Sequence, residues 1–101
     1  MAQFDVYLNP NPKTSQKVPF LLDVQNDILN ELNTRVVVPC VVGMKPATIL
    51  NPTFEINGIK VTISTAQIAS IGIENIGAKV CSVSEYRSEI IQALDFMIVG
   101  Y

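Results

Sequence analysis

The chain has 101 residues, a net charge of −2, 49% apolar residues and only 16% charged ones. That length suits one domain with one core and excludes two, and a charged share below the usual ~25% implies that much of the surface is buried or lent to a partner. The seven basic residues, Lys13, Lys17, Arg35, Lys45, Lys60, Lys79 and Arg87, are scattered, so the sequence holds no phosphate track of the kind nucleic-acid binders use.

In the opening stretch "MAQFDVYL", Phe4, Val6 and Leu8 alternate with Gln3, Asp5 and Tyr7. This is the pattern of a half-buried strand. It has neither the cationic start nor the long apolar run of a secretory signal. No segment is long enough to span a bilayer. The expected location is the cytoplasm, with Cys40 and Cys81 as reduced thiols. "NPNPKTSQK" follows as a Pro/Asn turn region. Val18, Phe20, Leu22 and Val24 then share a second strand face, and "NDILNELNT" reads as one helical turn or a loop, with apolar points at Ile28, Leu29 and Leu32.

"RVVVPCVV", residues 35–42, has no polar face after its first residue. Such a strand is buried on both sides, in a barrel or at a subunit interface. Pro39 within it cannot donate to a ladder and marks an edge, kink or bulge. "GMKPATILNP", residues 43–52, reads as a long loop. Next, Phe54 and Ile56 alternate with polar residues up to Asn57-Gly58, and Ile59, Val61 and Ile63 alternate after it. Two alternating strands joined by Asn-Gly predict a hairpin with a type I′ turn, because both turn positions need positive φ. Residues 66–80 are mixed, broken by Gly72 and Gly77, with a short strand expected around Ile71 and Ile73.

The last element is a helix. Ser82 followed by Glu85 fits a capping box, with Ser84 as the competing cap. Ile90, Ile91, Leu94, Met97 and Ile98 form the expected core stripe. Phe96 and Val99 fall on the opposite side with Ser88, Glu89 and Gln92, and Asp95 lies on the flank. The closing "LDFMIVGY" therefore reads either as a partner-binding apolar tip or as apolar residues covered by a neighbouring loop or subunit. The predicted fold class is β-rich α+β, several antiparallel strands followed by one helix packed on them.

Much chemistry is missing. Without any His, Ser-His and Cys-His nucleophile pairs and the commonest zinc ligand are excluded. Cys40 and Cys81 have no obvious activating base and read as core or near-surface thiols. Asp23 and Asp27 are four apart and suit either a metal or acid–base pair or, more commonly, turn capping. No phosphate-binding loop or dinucleotide fingerprint is present. These residues point to a binding protein without cofactor or catalytic site.

"QFDVY" at 3–7, "DVQNDIL" at 23–29, "NTRVVVP" at 33–39, "IAS" at 68–70 and a terminal helix ending Gly100-Tyr101 resemble, in this order and over nearly the whole chain, the CcdB-type toxins of bacterial toxin–antitoxin modules. The resemblance implies an SH3-like antiparallel β-barrel with a C-terminal helix, assembled as a homodimer. It implies a non-enzymatic poison that binds the DNA gyrase A subunit through the paired C-terminal ends and traps the gyrase–cleaved DNA complex. It also implies a cognate antitoxin with a disordered C-terminal segment, and a repressor complex that touches operator DNA only through the antitoxin.

The gyrase-binding residues carried over are Ile28 and Leu29 in "DVQNDIL" and Asp95, Val99, Gly100 and Tyr101 on the helix. Asp95 takes a position where the best-known members have Asn. Val99 stands where they carry a Trp, Tyr101 replaces a terminal Ile, and Gly72 replaces a Pro. Without the resemblance, Ile28 and Leu29 read as ordinary loop packing. Two alternatives accompany the toxin reading: an antitoxin-binding relic that no longer poisons gyrase, motivated by Val99, and an endoribonuclease toxin of the related barrel fold.

Overall fold

The computed structural model of the protein describes residues 1–45 and 50–100. The middle of the loop expected over 43–52 and Tyr101 lie outside the described residues. Seven strands, β1 (Asp5–Leu8), β2 (Phe20–Asp23), β3 (Thr34–Val41), β4 (Thr53–Ile56), β5 (Ile59–Ile63), β6 (Ala69–Gly72) and β7 (Lys79–Ser82), precede one helix, α1 (Arg87–Val99). The strands form one sheet in the order β4-β5-β3-β2-β1-β7, with β6 also paired to β3, and every pairing is antiparallel. The sheet curls into an SH3-like barrel closed over by α1.

Strand β3 organises the barrel. Along one edge it pairs with β2. Along the other it pairs with β6 through Thr34 to Val37 and with β5 through Cys40 and Val41. Pro39 sits in the gap between those two partners. Its carbonyl accepts from Ser64 N at 2.8 Å, so its nitrogen faces the same edge, where no ladder donor is required. Val37, Val38 and Cys40 are fully buried by neighbours within the chain. The apolar run is thus explained by the barrel itself and carries no separate argument for a second subunit.

The hairpin forms as expected. Ile56 pairs with Ile59, and Asn57 and Gly58 have φ of 51° and 78°, the two positive values of a type I′ turn. The core gathers Phe4, Val6, Phe20, Leu22, Val24, Val38, Cys40, Phe54, Ile56, Val61 and Ile63 under Val83 and Ile90. Phe4 is held at φ 70°, which is costly for a bulky side chain. Two backbone bonds, Phe4 N to Asp23 O and Val83 N to Phe4 O, pin it there, and its ring is buried with the Arg87 guanidinium 5.5 Å from the ring centre.

Four local expectations are corrected. In β1, Leu8 is exposed while Asp5 and Tyr7 are buried; the two polar side chains satisfy each other, Tyr7 Oη donating to Asp5 Oδ2 at 3.2 Å, with Lys79 Nζ of β7 3.4 Å from the same carboxylate. The capping box does not form: Ser82 belongs to β7, Ser84 opens a 3₁₀ turn (Ser84–Tyr86), and Tyr86 precedes α1 with no side-chain cap. Of the strand expected around Ile71 and Ile73, only Ile71 is in β6, and Ile73 starts a 3₁₀ turn. On α1, the buried face centres on Ile90 and Ala93, with Ile91, Leu94 and Met97 partly buried and Ile98 turned out to solvent. Ala93 adds little to an apolar stripe, yet it is fully buried beside Ile90, while Ile98 is 72% exposed.

Candidate functional site

The expected contact residues fall into two groups on different elements. On α1, Ile98 is 72% and Val99 57% exposed, and Phe96 is at 36%. Asp95 and Val99 lie one turn apart, and together with Arg87, Ser88, Ile91 and Gln92 they line a shallow strip along the helix. The helix ends at Gly100, whose left-handed φ of 80° lets its N–H return to Phe96 O at 2.9 Å. Glycine is the residue that tolerates this conformation, and an added Cβ would meet no atom there. The result is a clean stop that leaves three apolar side chains, Phe96, Ile98 and Val99, near one end. The helix wheel anticipated Phe96 and Val99 but not Ile98. Tyr101, the remaining expected contact, lies outside the described residues.

The second group stands on a 3₁₀ turn, Asp27–Leu29, between β2 and β3. Ile28 is 86% exposed, and Leu29 and Leu32 are about half exposed. The folded-back packing that isolated loop residues usually adopt does not occur here. Asn26 caps the turn by accepting from Ile28 N at 3.0 Å. This turn lines its own depression, from Asp27 to Leu32, separate from the helix strip.

Beneath the turn is a polar network that sequence reasoning missed. Arg35 and Asp23 are both fully buried. Arg35 Nε donates to Asp23 Oδ2 at 2.8 Å. Its Nη2 lies 2.6 Å from the same oxygen without hydrogen-bond geometry, and 3.9 Å from Asp27 Oδ1. Its Nη1 donates to Asn30 Oδ1. Burial raises the Asp23 carboxyl above its ordinary range, outweighing the opposing bonds from Arg35 and Gln25 N. The two carboxylates have separate partners: Asp23 is bonded to Arg35, and Asp27 accepts from Gln3 N at 2.8 Å. The available signal was a lone Arg heading an apolar strand, with an Asp closing the strand before it.

Elsewhere, the buried Asp5 carboxylate is shared by Tyr7 Oη at 3.2 Å, Ala2 N at 3.1 Å and Lys79 Nζ at 3.4 Å. Burial first, and the negative Asp5 second, push the Tyr7 phenol up to about 12. Cys40 and Cys81 are free thiols, and burial pushes Cys40 up to about 12. A broader hollow between the 9–14 loop and Ile71, Glu74 and Asn75 contains none of the expected contacts, and Glu74 is the one charged residue lining it. Among the described residues, no cluster of three or more His, Cys, Asp or Glu is placed to hold a metal, and no helix is long and apolar enough to cross a membrane.

The profile of the CcdB protein family matches residues 3–100. The chain belongs to the CcdB family. This places it among the CcdB-type toxins of toxin–antitoxin modules. No curated protein matches the sequence. Solved structures share the CcdB-family chain's fold at low identity. One is an endoribonuclease in complex with its cognate antitoxin from a mycobacterial species, with a TM-score of 0.76, 15% identity, and coverage of 94% of this chain and 91% of that one. Another is a mycobacterial endoribonuclease, with a TM-score of 0.73, 15% identity, and coverage of 94% and 88%.

Proposed function

We propose that this CcdB-family chain is a non-enzymatic toxin that binds the DNA gyrase A subunit and traps gyrase on cleaved DNA. The observation that carries the reading is the exposed end of α1, where Ile98, Val99 and Phe96 surround a helix stop built on Gly100. Exposed apolar side chains concentrated in one place are suited to a protein partner. In this reading a homodimer presents two such ends, since closed two-fold pairs are the commonest assembly. A cognate antitoxin with a disordered C-terminal segment removes the toxin and supplies the DNA contacts of a repressor complex. The test is a cleavage assay with purified gyrase and supercoiled plasmid, comparing the full chain with one ending at Val99. Linear, covalently trapped DNA with the full chain and its loss on truncation support the reading, and its absence with both defeats it.

A second reading is prompted by the endoribonuclease neighbours. An RNA-cleaving site needs an accessible acid–base set and a basic surface. Here there is no His, and the arginine nearest a carboxylate pair is buried with its partner. These features favour the gyrase reading, and incubation with RNA separates the two. A relic that binds antitoxin without trapping gyrase would be distinguished by an antitoxin titration run beside the cleavage assay.

A further inference from the structure

The turn that presents Ile28 and Leu29 has no buried residue of its own. A loop normally anchors itself by turning an apolar side chain inward. This one holds Ile28, Leu29 and Leu32 outward, so something other than hydrophobic burial must fix it. Three polar grips from beneath do so. Gln25, 4% exposed, donates through Nε2 to Leu29 O at 2.9 Å and accepts at Oε1 from Val36 N at 3.0 Å. Its amide thus extends the β2–β3 ladder past Val24, whose N–H donates to Val36 O at 3.0 Å, and bridges it to the turn. Arg35, itself fixed by Asp23, reaches Asn30 on the far side of the turn. Asp27 ties the near side to Gln3 N.

Burying an amide and a guanidinium is costly unless each is well bonded. A chain that needed only to close this connection would do so more stably by folding Ile28 or Leu29 inward. We infer that Gln25 and Arg35 are positioning residues that hold the Asp27–Leu29 turn rigid with its apolar side chains displayed for the partner. The inference deepens the gyrase reading and rests on it for the partner's identity. By fixing the turn beforehand, the grips remove an ordering cost that a loose loop would meet on binding.

The test uses Gln25→Met, which keeps length and burial but deletes both side-chain bonds. Asn30→Ala is a second variant that loses the Arg35 grip from an exposed position and so spares the core. Thr62→Val is the control: it removes a buried hydroxyl, 3.1 Å from Thr53 Oγ1, on the remote hairpin. Amide hydrogen exchange over residues 26–33 and affinity for purified gyrase A subunit are measured on the parent and these three variants, and affinity also on Leu29→Ala. Faster exchange of the Ile28, Leu29, Asn30 and Leu32 amides by about tenfold in both grip variants is expected, with gyrase affinity about tenfold weaker and both near parental in the control. Unchanged exchange in the grip variants overturns the inference. So does parental gyrase affinity in them when Leu29→Ala weakens binding. If the parent itself does not bind gyrase, the gyrase reading falls, and the exchange measurement still decides the positioning role.

Discussion

Removing the Asp23 carboxylate should unfold a large part of this protein's stability while leaving its apolar core untouched. Asp23 and Arg35 are both inaccessible to solvent, with Nε 2.8 Å and Nη2 2.6 Å from one carboxylate oxygen. In Asp23→Ala the guanidinium stays buried and loses its buried partner, keeping only the exposed Asp27 3.9 Å away, and breaking a buried pair in this way costs about 3–5 kcal/mol. A domain of this size has about 5–15 kcal/mol in total, so the variant is expected to be marginal. Burial already raises the carboxyl above its ordinary value, which means that desolvation outweighs the attraction. It follows that replacing both partners, as in Asp23→Leu with Arg35→Met, should cost far less than Asp23→Ala alone. Urea unfolding followed by circular dichroism measures all of these. A loss under about 1 kcal/mol for Asp23→Ala, the scale of an exposed pair, would refute the reasoning. So would a double variant that loses as much as the sum of the singles.

Four further outcomes follow from the same structure. Gly77→Ala should lower stability by about 1–3 kcal/mol, because its Cβ would come 2.7 Å from the Leu8 carbonyl oxygen; an unchanged melting temperature would contradict that close approach. In the native protein a thiol reagent should label only Cys81, and slowly, whereas Cys40, fully buried and pushed up to about 12, should react only with unfolding; equal labelling rates would contradict this. Tyr7 and Cys40 keep their protons in the folded state beyond their ordinary values of 10.0 and 9.0. Their contribution to stability should be complete below those values and be lost as pH rises toward about 12, as read by urea midpoints across alkaline pH. Val99→Trp should strengthen gyrase trapping by about thirtyfold, the effect of a hot-spot aromatic worth about 2 kcal/mol; unchanged trapping would show that Val99 is not at the contact.

The elements that were readable in the sequence are those whose signal is local. Asn57-Gly58 between alternating residues specifies its hairpin because the turn conformation is a property of two residues. The double-sided burial of "RVVVPCVV" and the break at Pro39 were legible for the same reason. Leu8 and Ile98 were assigned inward because alternation and helix wheels weigh a residue's apolarity and not its neighbours. In the fold the buried positions are instead Tyr7, bonded to Asp5, and Ala93 beside Ile90. Of the candidate site, the helix end was legible from spacing, whereas Ile28 and Leu29 took their role from family resemblance. The buried Arg35–Asp23–Gln25 support joins residues from two strands and a loop, and it becomes visible only when β2 and β3 are paired in register.

The central claim is that the exposed α1 end acts on gyrase. The most direct measurement is the plasmid cleavage assay with purified gyrase, using the full chain and the chain truncated after Val99, each shown by circular dichroism to be folded. Trapped, broken DNA with the full chain and none with the truncated one is the predicted result. Intact plasmid with the folded full chain, or equal trapping by both, would contradict the account.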